Sequence, residues 1–391
     1  MNRLVQLIVL ALFMIAAVAG YFFFDLFGRP GLFLPEHPSN LDAYMESRRE
    51  ALELPGVSAV VVNGDGLLWE GYYGTADGEQ AVDEDTLFMV ASISKLVVGT
   101  AVMQQWEAGK FALDDDVNDY LDFEIRHPDY PAAPITIKDL MIHHSAINDR
   151  DPLYDEMYTL DAGGDSPWEL ADFMEAYFER DGQFYSPDNF LDQQPGEAFS
   201  YSNYGNALLA VLVEEVSGQP FNKYAQEQIF APLGMNSSYY LLSEMPEEAM
   251  ENLATPYLNG SPLLHYNFPD YPAGSLRTTA RDFGKFASFY LDPAGAENQI
   301  LQPETVEMML SIQGDSTDIS EESMGLTWVH FDWIVFDAVG HNGGDFGAFT
   351  YILMYPEEEH ATIIFTNDSP DSLLIYRGMI ERLREEGRNR S

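Results

Sequence analysis

The amino-acid sequence predicts an α/β sandwich whose sheet is built from both ends of the chain, with a mainly helical region inserted between them. Three observations carry this expectation. Near the N-terminus, Val57 to Val62 and Leu67 to Tyr73 are strand-like runs joined across the turn Asn63-Gly64-Asp65-Gly66, a hairpin signal. Strand-like runs return only near the C-terminus, at Leu326 to Val339, Ala348 to Met354 and Ala361 to Thr366. Between these ends, from Ala91 to about Tyr290, helical segments alternate with long loops rich in Asp, Pro, Gly and Tyr.

Taken in chain order, Leu4 to Phe24 comes first, a run of 21 residues in which Gln6 is the only strongly polar member. At 1.5 Å rise per residue such a helix spans about 31 Å, the thickness of one hydrocarbon core. Arg3 before it and Asp25 after it fit an orientation with the N-terminus inside and the body outside the cytoplasm. Residues 1–24 are therefore read as a transmembrane anchor. The alternative is a cleaved signal peptide with its small-residue site at Ala17-Val18-Ala19, followed by secretion. Residues 25–38 hold Gly28, Pro30, Gly31, Pro35 and Pro38 and read as a linker. The remaining 39–391 read as one catalytic domain. Ser39 or Asn40 can cap a helix reaching about Leu54, and a closing amphipathic helix is expected over about Ser372 to Glu386.

Composition excludes several functions. Of 391 residues, 46% are hydrophobic, enough for a sizeable core. Nineteen basic residues against 64 acidic ones give a formal net charge of −45, so nucleic acid is not an expected partner. There is no cysteine, which removes disulfides, thiol nucleophiles and thiolate metal sites. His143 and His144 are adjacent and diverge on a regular backbone, and no His-Glu-x-x-His is present, so neither a metal nor another cofactor is expected. No serine sits in Gly-x-Ser-x-Gly, the nucleophile turn of α/β-hydrolases.

Three short segments can carry chemistry. Ser92-Ile93-Ser94-Lys95 places a hydroxyl and an amine three residues apart, on one face of a helix. The flanks, Leu87 to Val90 and Leu96 to Val98, are apolar, and an amine in an apolar setting loses its proton more readily. Tyr201-Ser202-Asn203 follows the turn Pro195-Gly196-Glu197 and precedes an apolar helix. On an extended loop Tyr201 and Asn203 point to the same side, as base and carbonyl ligand. His341-Asn342-Gly343-Gly344 ends a strand with glycines that let a ligand approach backbone N–H groups. Singly, each also reads as structure: a capped helix with a solvated lysine, a capping loop with a packed tyrosine, a histidine at a strand end.

The order Ser-x-x-Lys, Tyr-x-Asn, His-x-Gly resembles that of the serine β-lactamase and penicillin-binding-protein superfamily, in its branch of class C β-lactamases, DD-peptidases and related esterases. Ile135 to Ala146, Pro232 to Met235 and Pro272 to Asp282 are similar to further signature segments of that branch. The resemblance covers about Ser39 to Asn367. It implies a β-lactamase/transpeptidase-like fold, an antiparallel sheet flanked by helices, and catalysis through an acyl-serine. Residue by residue, it implies Ser92 as nucleophile and Lys95 with Tyr201 as the base network. It places Asn203, His341, Asn342 and Gly343 on the substrate, and makes the backbone N–H groups of Ser92 and Gly344 the oxyanion hole. The implied substrate is a small molecule or a peptidoglycan peptide. Two positions depart from the pattern. His341 and Asn342 stand where class C β-lactamases have lysine and a hydroxyl residue, as peptidase-like and esterase-like members do with histidine. Ala146 stands where glycine is usual. A non-catalytic wall-binding module on the same fold is the competing reading.

Overall fold

A computed structural model describes residues 40–151, 153–313, 323–333, 336–369 and 376–391. The expected anchor and linker lie outside these residues. Among the described residues no helix is long and apolar enough to cross a membrane.

The N-terminal hairpin forms as expected, with β1 (Gly56–Asn63) antiparallel to β2 (Gly66–Gly74). The C-terminal strands of the same sheet are β3 (Ser323–Met324), β4 (Val329–Trp333), β5 (Phe336–Asp345), β6 (Ala348–Tyr355) and β7 (His360–Thr366). Their order is β2-β1-β7-β6-β5-β4-β3, every pair antiparallel. The two ends of the chain meet where β1 pairs with β7, with Val57 opposite Thr366 and Asn63 opposite His360. The single run expected from Leu326 to Val339 is instead two strands, since Phe336 pairs back onto Trp333. That stretch carries no glycine, proline or Asn-Gly turn signal, so composition alone does not divide it.

β1 and β7 are buried on both faces, which explains their nearly continuous apolar sequence, whereas β2 alternates between buried and partly exposed positions. Helix α1 (Leu41–Ala51) is capped by Asn40, whose side chain accepts from the Asp42 N–H at 2.8 Å. It ends three residues short of the expected Leu54. The Gly284 backbone of helix α4 (Ala280–Leu291) lies against Val60 and Val62, and the Gly387 backbone of the closing helix α5 (Arg377–Arg390) lies against His360. Because Val62 pairs with Ala361 and His360 with Asn63, those helices cover opposite faces of the sheet. The expected start of the closing helix at Ser372 falls outside the described residues.

The inserted region is built on two helices that are apolar all round and hence buried, α2 (Lys95–Glu107) and α3 (Asn203–Ser217). A small sheet joins Phe88–Met89, Arg277–Thr278 and Ser238–Tyr239, with the Arg277 strand in the middle. It fixes the chain immediately before Ser92.

Candidate active site

Ser92 sits in a single 3-10 turn, Ala91–Ser94, that runs directly into α2. In such a turn positions i and i+3 eclipse, so Ser92 and Lys95 face each other, with Oγ and Nζ 3.1 Å apart. Several bonds hold the turn. The Val90 N–H donates to Leu276 C=O at 2.8 Å, and the Thr350 hydroxyl of β6 donates to Val90 C=O at 2.8 Å. The Ser94 hydroxyl donates to Ala91 C=O at 2.6 Å and accepts from the Leu276 N–H at 3.1 Å. Ser94 is thus a buried strut, while Ser92 is partly exposed. Ala91 has φ of 49°, a left-handed backbone that an alanine adopts at a cost of about 1–2 kcal/mol.

Lys95 is fully buried, not the solvated lysine of the structural alternative. Its Nζ lies 2.7 Å from Asn203 Oδ1 and 2.7 Å from Ala273 C=O, and 5.0 Å from the centre of the Tyr201 ring. Burial brings its pKa down to about 7, against the pull of the buried Asp270 and the partly buried Asp149 and Asp345 carboxyls. On the other side of the nucleophile, the Tyr201 hydroxyl donates to Ser92 Oγ at 2.8 Å. Tyr201 is 40% exposed, so this side of the serine is open.

The Tyr-x-Asn segment is not wholly an extended loop. Ser202 is the N-cap of α3, its hydroxyl accepting from the Gly205 N–H at 2.9 Å, and Asn203 is the first helical residue. One partly buried carboxylate that sequence reasoning missed organises this entry. Asp149 accepts from the Ser202 hydroxyl at 2.6 Å and from the N–H groups of Asn203 and Tyr204 at 2.5 and 3.1 Å. His143 was also missed as a support. Its Nδ1 accepts from the Ser202 N–H at 3.3 Å, and its ring lies 4.4 Å from that of Tyr201. Burial beside Lys95 holds its pKa well below the usual imidazole range, which keeps it neutral. His143 and Ala146 both have positive φ, 57° and 59°. The glycine usual at the second position therefore answers to a left-handed backbone, and alanine there is tolerated strain.

The third segment lies on β5, beside the nucleophile turn. A methyl group on Gly343 would overlap Val90 C=O and the Thr350 hydroxyl, so only glycine permits this approach. Asn342 is half-buried and Gly344 is exposed. β5 pairs with β4 only from Phe336 to Gly340, and with β6 from Val339 to Asp345. His341 is 3% exposed, with its ring 6.4 Å from that of Tyr201. Its Nδ1 lies 2.6 Å from Asn342 C=O, which fixes the proton on that nitrogen. Burial, and secondarily Lys95, push its pKa down to about 4, so it is neutral at pH 7.

The structure therefore brings Ser92, Lys95, Tyr201 and Asn203 into direct hydrogen-bond contact, and sets His341 to Gly344 beside them. A hydroxyl between a buried amine and a phenol can be deprotonated and can attack an acyl carbon. Among the described residues no group of three or more His, Asp or Glu could hold a metal ion.

Comparisons with known proteins give the family of the chain. The Beta-lactamase family profile matches residues 41–381. Penicillin-binding protein 4 of Amycolatopsis lactamdurans is 29% identical over 347 residues, covering 83% of this chain and 85% of that protein. The D-alanyl-D-alanine-carboxypeptidase/endopeptidase AmpH of Escherichia coli K12 is 24% identical over 86% of each chain. A solved class C beta-lactamase superposes with a TM-score of 0.72 at 19% identity, over 90% of this chain and 98% of that one, a likeness of fold. The chain belongs to the Beta-lactamase family of serine hydrolases.

Proposed function

We propose that this protein hydrolyses ester or peptide-type acyl donors through an acyl-Ser92 intermediate, as an esterase or a DD-peptidase, outside the cytoplasm and tethered by residues 4–24. The observation that carries the chemistry is the position of Ser92 Oγ, 3.1 Å from a buried Lys95 Nζ and 2.8 Å from Tyr201 Oη. Lys95 takes the Ser92 proton as Oγ bonds to the acyl carbon. The proton passes to the leaving group as the old acyl bond breaks. A water then adds to the acyl carbon with the same groups as base, and Ser92 is regenerated. Asn203 holds Lys95 and meets the substrate carbonyl side. His341, Asn342 and Gly343 line the leaving-group side. The N–H groups of Ser92 and Gly344 receive the oxyanion. The D-alanyl-D-alanine-carboxypeptidase/endopeptidase name of AmpH supports a peptidoglycan peptide as one candidate donor.

His341 supports the ranking of substrates. A neutral imidazole offers no permanent cation to a substrate carboxylate, as the lysine of class C β-lactamases does. Esters and peptides should therefore turn over faster than cephalosporins, and His341→Lys should move preference toward carboxylate-bearing substrates. Intact-mass measurement with a fluorophosphonate should show a covalent increment that Ser92→Ala abolishes and Ser94→Ala retains. Labelling that survives Ser92→Ala would refute Ser92 as the nucleophile, and a wild type that takes no label would favour the non-catalytic reading. A cephalosporin turned over faster than simple esters at neutral pH would refute the ranking.

A further inference from the structure

The three carboxyls that act on Lys95, Asp270 buried and Asp149 and Asp345 partly so, are unequally satisfied. Asp149 accepts from one hydroxyl and two backbone N–H groups. Asp345, at the end of β5, accepts from the Tyr266 hydroxyl at 3.0 Å and the Phe346 N–H at 2.7 Å, with the Tyr158 hydroxyl 3.3 Å away. Asp270 is 1% exposed, yet its Oδ2 has no hydrogen-bond partner. A bare carboxylate oxygen in such a place is costly, and a proton on it removes most of the cost.

Asp270 is also tied to the base by one turn of chain. It precedes the 3-10 turn Tyr271–Ala273, and its C=O accepts from the Ala273 N–H at 2.9 Å. The C=O of Ala273 is one of the groups that hold Lys95 Nζ, at 2.7 Å. Around the amine, Ala273 C=O and Asn203 Oδ1 can only accept, so they use two hydrogens of Nζ. A neutral amine has no more than two. Its lone pair then points at Ser92 Oγ, which already accepts from Tyr201 and can donate its own hydrogen. The same contacts also admit an ammonium, whose third hydrogen goes to Ser92 Oγ, so this geometry accommodates Lys95 charged or uncharged. One ammonium against three carboxylates in this pocket would leave net charge buried, so the protons must be shared out.

We propose that Asp270 is a positioning residue for the reaction base: the Asp270 carboxyl and the Lys95 amine hold one proton between them at neutral pH, and in that one-proton state Lys95 can accept from Ser92 only when the proton is on Asp270. Burial pushes Asp270 up to about 8 and Lys95 down to about 7, each toward the other. Burial raises the two other carboxyls facing the pair as well, Asp345 to about 6, and their hydrogen-bond donors pull both back down. Burial raises the Tyr154, Tyr158 and Tyr204 hydroxyls far above neutrality. His143 and His341 are held neutral. The proposal rests on Ser92 and Lys95 being nucleophile and base.

The test is the pH dependence of fluorophosphonate labelling of the full chain. In the wild type two coupled groups release their protons in separate steps, so the labelling rate should rise with pH in two steps. Asp270→Asn leaves the amine to titrate alone, and the rise should collapse to one step. Two steps retained in Asp270→Asn, with all rates lowered by one factor, would make Asp270 merely structural. A single step in the wild type would also overturn the proposal. An infrared difference spectrum between about pH 6 and 10 gives an independent reading that does not need the enzyme to react. The band of a buried protonated carboxyl should disappear above neutrality in the wild type, and the part missing from Asp270→Asn belongs to Asp270 and not to Asp345 or Glu214, which burial raises to about 6 and about 7; a wild type with no such band overturns the shared proton without any variant. A wild type that takes no label at Ser92 refutes the nucleophile instead, and the infrared band still decides on the proton.

Discussion

Two ion clusters in this molecule each set carboxyls against cationic side chains and behave in opposite ways. Around Ser92, one amine faces three carboxyls with almost no solvent, and burial draws Lys95 and Asp270 toward neutrality. At the turn joining β6 to β7, along the strand-end edge of the sheet, one carboxylate, Glu358, faces two guanidiniums, with Arg384 at 2.5 Å and Arg388 at 2.6 Å. Those partners hold its carboxyl down at about 2, against the effect of burial. Arg384 also lies over the Tyr355 ring at 4.4 Å. The edge cluster therefore keeps fixed charges and pins α5 to the sheet, while the site cluster has too few cations and titrates where catalysis operates. Burial and the ratio of opposite charges separate clamp from proton relay, together with the choice of cation, since a guanidinium keeps its proton where a buried amine can lose it.

The largest expected effect separates the two clusters by rate. Lys95→Ala and Tyr201→Phe should each slow labelling of Ser92 by at least about 10²-fold, the usual scale for loss of a general base. Glu358→Gln should leave the rate nearly unchanged, because the edge cluster touches no reacting atom. Similar rate losses in the two clusters, read from labelling time courses, would break the comparison.

A smaller effect compares two close approaches. Gly343 lets β5 reach the Ser92 turn, and Gly387 lets α5 reach His360, where an added methyl would overlap the imidazole ring. Alanine at either position should cost about 1–3 kcal/mol of stability through forced displacement. Only Gly343→Ala should also slow labelling, since only that displacement moves the strand beside the nucleophile. Thermal melts with parallel labelling separate the outcomes, and a slowed Gly387→Ala would mean the edge communicates with the site.

The motifs were legible because each is short and carries its chemistry in residue type. Ser92, Lys95, Tyr201 and Asn203 meet as the sequence suggested, and the hairpin followed from Asn63-Gly64-Asp65-Gly66. Asp149, Asp270 and Asp345 were not legible. In a chain with 64 acidic residues nothing local marks three carboxyls as buried or partly so. Their partners are distant in sequence, Asp149 meeting Ser202 from 53 residues away and Asp345 meeting Tyr266 from 79. His143 looked like half of an adjacent pair. What gives it a role is a positive φ and a packed ring, which appear only when the loop folds against Tyr201. The β4–β5 turn was missed for the opposite reason, because an apolar run signals strand without signalling where it reverses.

The smallest expected effect sharpens the clamp half of the comparison through pH. Glu358 is held below its ordinary carboxylate value of 4.5 when folded. A depressed folded pKa adds stability that is fully present above the ordinary value and disappears as pH falls through the folded one. Glu358→Gln should therefore lower the melting temperature at neutral pH and lose that deficit between about pH 5 and about pH 2. Its size should be about 1 kcal/mol, since Arg388 and one face of the cluster are open to solvent and salt. For a domain of this size that is a shift of about 2 °C. Half-molar salt should shrink it further, because the open part of the pair is screened. The other acids titrate identically in both proteins, so the difference between the two melts isolates Glu358. A deficit that stays constant from neutral to acid pH would mean that Glu358 holds α5 by packing and hydrogen bonding alone. The edge would then differ from the site only in exposure, and the ratio of opposite charges would lose its part in the argument.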